Sequence, residues 1–222
     1  MRDLATLPDD IRPHFERSAL VTIDVQRDVL DGGALEIAGT SEALGAMVQL
    51  ARAFRSAGRP VVHVVRLYLA DGSNADVARR RLVASSGPVL RPGTAGSQLA
   101  PALMPEGEVG LDDAVLLGGG LQTIGEGEVV LYKPRWGAFY ATGLEAHLRS
   151  VDVDTLVVCG ANFPNCPRTT VYEASERDFR VVVAADAVSG FYERGVAELR
   201  GIGVVVAPTA EVVAGLGALG LG

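Results

Sequence analysis

The chain has 222 residues, 48% hydrophobic and 21% charged, with a net charge of −7 at pH 7 and a pI of about 5.0. That composition fits one globular domain over residues 1–222, and it argues against a nucleic-acid binder, which needs a basic face, and against binding to anionic membrane. No run is long and apolar enough to span a bilayer, and the charged N-terminal segment 1–17 has no apolar signal core, so a cytoplasmic location is expected.

In chain order, short Val-rich runs at 19–23, 60–65, 129–132, 155–159, 181–185 and 204–207 are apolar at successive positions. Strands buried on both faces read this way. Between them lie helix-like segments. Residues 41–56 carry Leu44, Met47, Val48, Ala51 and Phe54 at helical spacing, with Gly58 just past the end. Further helices are expected at 74–84, 169–177, 193–200 and 209–219, and Thr142 with Glu145 fits a capping box opening another. Strand and helix in alternation predict an α/β fold: a three-layer, doubly wound, mostly parallel six-stranded sheet with helices on both faces. The connection 67–128 is long and rich in Gly and Pro, as lids and oligomer contacts often are.

Ligands of such sheets bind beyond the carboxyl ends of the strands, and three of those ends carry unusual residues. Asp24 closes the first run, where a carboxylate is costly unless paired or used. Lys133 closes the third, and it is the single lysine among 20 Lys and Arg residues. Where nearly every cationic position is Arg, the surviving Lys suggests a role needing a compact ammonium. After the fourth run comes Cys166, followed by Pro167, a residue suited to a helix's first turn. As the N-cap, Cys166 would face free N–H groups and the positive helix end, which favour the thiolate. Asp24 as base, Lys133 as charge organiser and Cys166 as nucleophile compose a set for covalent catalysis. Cys159, inside its run, reads as an inert core residue, and a disulfide framework is not expected. His63 reads as packed core, His14 and His147 as surface positions. Arg168 has the donor fork for a substrate carboxylate; Trp136 and Phe139 are candidate pocket walls, and Gln26, just past Asp24, is a further candidate substrate contact.

These residues give the chain a resemblance to the isochorismatase-like cysteine hydrolases, over about residues 18–188. It rests on Leu20-Val21-Thr22-Ile23-Asp24-Val25-Gln26, Arg91-Pro92-Gly93-Thr94-Ala95-Gly96, Lys133 followed by Gly137-Ala138-Phe139-Tyr140, Gly160 through Cys166, and Asp186-Ala187. The resemblance implies Asp24 as general base, Lys133 as its partner and Cys166 as nucleophile, with an oxyanion hole from the N–H groups of Asn162 and Cys166. It also implies a cis bond between Ala161 and Asn162, a small-molecule substrate, no cofactor and a homo-oligomer. Phe163, Pro164 and Pro167 depart from the family's usual residues around the nucleophile. Metal-binding nicotinamidases of this group carry histidines after the second strand; here Arg66-Leu67-Tyr68 stands instead, and no metal is expected. The thiol favours a small amide or ureide C–N substrate. The alternatives are an isochorismatase-type vinyl-ether hydrolase and an inactive binding or scaffold protein of the same fold.

Overall fold

The computed structural model describes residues 4–105 and 109–221. The elements run β1 (Ser18–Ile23), α1 (Thr40–Ser56), β2 (Val61–Val65), α2 (Val77–Ser85), α3 (Asp113–Leu117), β3 (Leu121–Gly125), β4 (Glu128–Tyr132), α4 (Leu144–Ser150), β5 (Thr155–Gly160), α5 (Cys166–Ser175), β6 (Arg180–Val188), α6 (Glu193–Gly201), β7 (Val205–Ala207) and α7 (Thr209–Gly217). Seven strands form one sheet in the order β3-β4-β2-β1-β5-β6-β7. All six expected strands are present and parallel.

The seventh strand, β3, was not anticipated. It pairs antiparallel with β4 at the sheet edge, with a register shift between Thr123 and Gly125. Only Ile124 of its residues is buried, so it lacks the continuous apolar run that marks the others.

The strand order places the helices. Passing from β1 to β2 moves the chain one way across the sheet, and passing from β5 to β6 moves it the other way. With right-handed crossovers, α1 and α5 then lie on opposite faces. α7 packs on α1, and α5 on β5 and β6. The direction reverses between β1 and β5, so the crevice at their carboxyl ends is where this fold binds ligands.

β1 and β5 are buried at every position, which requires the few polar side chains among the central strands to find partners. His63 does so: Nδ1 lies 2.8 Å from Thr22 Oγ1 and Nε2 2.7 Å from Glu128 Oε1. Arg55 of α1 donates to both oxygens of Glu128, at 2.7 and 2.6 Å. Burial would raise the Glu128 carboxyl, but hydrogen bonds from Arg55 and His63 outweigh it and hold it at about 2. A depressed carboxyl adds stability above its ordinary value near 4.5, and that stability is lost as pH falls toward 2. Glu128→Gln is therefore expected to lower stability at neutral pH by about 2 kcal/mol, the weight of a hydrogen bond to a charged group. The deficit should shrink between pH 4.5 and 3, as thermal melts across that range would record.

The capping box did not form. Gly143 precedes α4, Thr142 Oγ1 donates to the Ala138 carbonyl at 2.6 Å, and Glu145 pairs with Arg177 at 3.1 Å. Thr142 Oγ1 still accepts from the Leu144 N–H at 3.3 Å, but Glu145 has a partner across the fold in place of the local one. Among the described residues, no helix is long and apolar enough to cross a membrane.

Candidate active site

Asp24 follows β1 directly, with φ at 54°. Asp is among the residues that tolerate this left-handed conformation, and such strain gathers at functional sites. The turn is held by Asp24 N–H donating to the Val64 carbonyl at 2.9 Å and Gln26 N–H donating to that of Asp24 at 3.0 Å. Gly160, at the end of β5, has φ of 121°, and a Cβ there would lie 2.2 Å from the Ile23 carbonyl oxygen. Only glycine lets the two strand ends close up this way. Ala161 N–H then donates to that same oxygen at 2.8 Å, bringing the loop that carries Asn162 and Cys166 alongside Asp24.

Lys133 follows β4, two strands from β1, with β2 between them. Neighbouring strands lie roughly 4.8 Å apart, so the two ends are not adjacent. The lysine's four-carbon stem spans β2. It is completely buried, and its Nζ donates to Asp24 Oδ2 at 2.8 Å. The ammonium also reaches the Arg135 carbonyl at 3.4 Å. The other Asp24 oxygen, Oδ1, is buried and makes no fully formed hydrogen bond among the described residues.

Cys166 borders the same small cavity as Asp24. It is the first residue of α5 rather than its N-cap, which is Asn165, and it is 7% exposed. Burial pushes the thiol up, and the charge and hydrogen bonding of Asp24 push it further; Lys133 and Arg66 pull it down, and the outcome is about 11. The helix start favours the thiolate, but burial and the neighbouring carboxylate outweigh it and the cations and hold the thiol up. Cys159 is fully buried, and burial alone raises its thiol well above the ordinary range. Both cysteines are free.

The peptide bonds, including that between Ala161 and Asn162, are all trans among the described residues. The loop is pinned in this form by Phe163 N–H donating to Ser189 O at 2.8 Å and Asn165 N–H donating to Asn162 O at 3.0 Å. The N–H groups of Asn162 and Cys166 find no backbone acceptor among the described residues.

The remaining predicted residues divide. Asn162 and Trp136 line the cavity. Phe139 does not border it: it packs against Phe179 with centroids 5.8 Å apart, and its N–H donates to Glu173 at 2.9 Å. Arg168 does not border it either. It is drawn to Glu198 at 2.7 Å and to the Tyr192 hydroxyl at 2.7 Å, over the Phe163 ring. Gln26 is fully buried, and its amide is occupied by backbone groups. Its Oε1 accepts from Arg66 N–H at 2.8 Å, and its Nε2 donates to the carbonyls of Arg66 at 2.9 Å and Ser97 at 2.6 Å.

Two cavity-lining arginines went unassigned in the sequence. Arg66 follows β2, between the ends that carry Asp24 and Lys133. Burial works against its charge, but Tyr68, Asp24, Cys166 and Asp76 around it outweigh that and raise it further. Arg79 of α2 stacks over Trp136, 4.6 Å from the ring centroid. The signal for Arg66 was available: it ends an apolar run, like Asp24 and Lys133. The long connection supplies part of the wall through Tyr68 and Leu90, which belong to a small apolar cluster with Val29, Leu35 and Ile37. Among the described residues, no group of three or more His, Cys, Asp or Glu side chains is arranged to hold a metal ion.

Comparison with known proteins agrees with this geometry. The family model for the Isochorismatase domain matches residues 18–114 and 121–211. A crystal structure of an isochorismatase family protein from Desulfovibrio vulgaris superposes with a TM-score of 0.76 at 32% identity, covering 90% of this chain and 98% of that one. A protein named as a probable inactive nicotinamidase from Arabidopsis thaliana is 29% identical over 198 residues, 86% of this chain and 91% of its own. A ureidoacrylate amidohydrolase from Methylobacterium radiotolerans is 27% identical, over 83% of this chain and 71% of its own. A doubly wound sheet with polar groups gathered at its switch point defines an α/β protein whose candidate site is that crevice. The chain belongs to the isochorismatase-like cysteine hydrolase superfamily.

Proposed function

We propose that the protein hydrolyses a small amide or ureide C–N bond through a thioester on Cys166. The observation that carries this reading is the division of one carboxylate: Asp24 gives Oδ2 to Lys133 and leaves Oδ1 without a formed bond, beside the thiol. A protonated thiol beside a free carboxylate oxygen needs its proton removed only as it attacks. Asp24 takes that proton, and sulfur adds to the substrate carbonyl. The oxyanion rests on the N–H groups of Asn162 and Cys166, which have no backbone acceptor among the described residues. Asp24 then returns the proton to the departing nitrogen, which leaves as ammonia or an amine. Water, deprotonated by the same carboxylate, cleaves the thioester, and the thiol recovers its proton. Lys133 holds the Asp24 carboxyl group in place through Oδ2, and the scheme uses no cofactor.

The name of the ureidoacrylate relative supports a C–N substrate. The name of the plant relative, and a thiol pushed up to about 11, favour a second reading in which the fold binds without turnover. A panel of small primary amides and N-carbamoyl compounds, followed by ammonia release, separates the two. The hydrolase reading expects turnover of at least one compound and a thioester adduct on the Cys166 peptide after acid quench. Binding with neither ammonia nor adduct would favour the second.

A further inference from the structure

The cavity contains a buried cation that the chemistry above does not use. Arg66 is 3% exposed. Its Nη2 donates to Asp76 Oδ2 at 3.0 Å, while its Nη1 is buried with no partner among the described residues. A buried donor left unsatisfied carries a desolvation penalty. The fold nevertheless fixes this residue firmly, since the Gln26 amide bonds both its N–H and its carbonyl. The guanidinium borders the same cavity as the Cys166 thiol and Asp24.

Charge points the same way. The cavity wall carries the cations Arg66 and Arg79 against the carboxylate Asp24; off the wall, Lys133 pairs with Asp24, and Asp76 with Arg66 and Arg135. Cations outnumber carboxylates although the whole chain is acidic. Apolar side chains, among them Val29, Leu35, Ile37 and Leu90, line much of the remaining wall. A neutral amide oxygen would satisfy Nη1 but leave the excess positive charge uncompensated; a carboxylate satisfies both, and guanidinium suits it geometrically.

We propose that the substrate is a small amide or ureide bearing a carboxylate, and that this carboxylate docks on Arg66 Nη1 while the carbonyl meets Cys166. Arg66 is then the specificity-determining residue, Gln26 positions it, and Arg79 over Trp136 supplies a second positive group at the wall. This inference rests on the proposed hydrolase reading for the carbonyl's fate, and on the cavity alone for the carboxylate.

The test uses matched pairs that differ only in charge: N-carbamoylglycine against N-carbamoylglycinamide, and longer members of three to six carbons, each acid with its own amide. Binding is measured by calorimetry on Cys166→Ala, which removes turnover, and kcat/KM on the wild type. At least one acid is expected to bind roughly tenfold or more tightly than its neutral partner, the scale of one hydrogen bond to a charged group. Arg66→Met alone leaves Asp76 buried beside a lost partner, so the double variant Arg66→Met, Asp76→Asn is paired with it, and Arg66→Lys is the conservative control. Both Met variants should erase the preference for the acid, and Arg66→Lys should keep part of it. A merely structural Arg66 would weaken acid and amide alike. Equal affinity within every pair, or a preference that survives in the double variant, overturns the proposal. Acid binding without turnover would uphold it and overturn the hydrolase reading instead.

Discussion

Cys166→Ala is expected to abolish C–N hydrolysis, with kcat/KM falling by at least ~10⁴-fold, the scale seen when a covalent nucleophile is removed. Cys166 is 7% exposed and lines a cavity with Asp24, so alanine deletes the proposed nucleophile with little disturbance around it. A small volume lost at the edge of the core should cost on the order of 1 kcal/mol in stability, and the melting temperature should move little. The combination is informative. A vinyl-ether hydrolase on this fold forms no covalent bond to sulfur, and its activity would survive the substitution. Ammonia release and vinyl-ether turnover, measured side by side on the two proteins, distinguish the reactions.

Asp24→Asn is expected to separate the thiol's reactivity from catalysis. The amide cannot take the proton from sulfur, and loss of a general base costs roughly 10²–10⁴-fold in rate. Yet the same carboxylate, by its charge and hydrogen bonding, is one of the causes that raise the thiol, while Lys133 and Arg66 lower it. With Asp24 neutralised the cations oppose burial only, so the fraction of thiolate at a given pH rises while turnover falls. A residue that only oriented the site would lower both. Steady-state kinetics on the variant, beside the wild type, measure the first half of this expectation.

The fold was largely legible because its strands are buried on both faces. Each of the six runs is apolar at successive positions, as strands covered on both faces are, and the helices between them follow from spacing. β3 was missed because an edge strand with one buried residue, next to Gly118, Gly119 and Gly120, has neither signature. Asp24, Lys133 and Cys166 were legible for a related reason: a charged or reactive group at the end of an apolar run needs a use or a partner. Arg66 obeyed that rule and was passed over, because its segment was weighed only for the histidines it lacks. What the sequence could not convey was competition between partners. Arg168 had the right chemistry for a carboxylate, but Glu198 and Tyr192 lie within its reach. Gln26 looked free, but its amide closes a backbone gap between β1 and β2. The thiol's ionisation also depends on three-dimensional neighbours: a helix start favours the thiolate, but burial and Asp24 reverse that. Local sequence reports neither term.

The account's central claim is that Asp24 and Lys133 together control the Cys166 proton. The most direct measurement is the rate of iodoacetamide labelling of the Cys166 peptide from pH 6 to 12 in wild type, Asp24→Asn and Lys133→Met, with buried Cys159 as the internal control. In the wild type, labelling should keep rising beyond the ordinary thiol value of 9, toward a midpoint of about 11. Asp24→Asn should shift the midpoint down and Lys133→Met should shift it up. One profile shared by all three proteins, centred near 9 like an unperturbed thiol, would contradict the account.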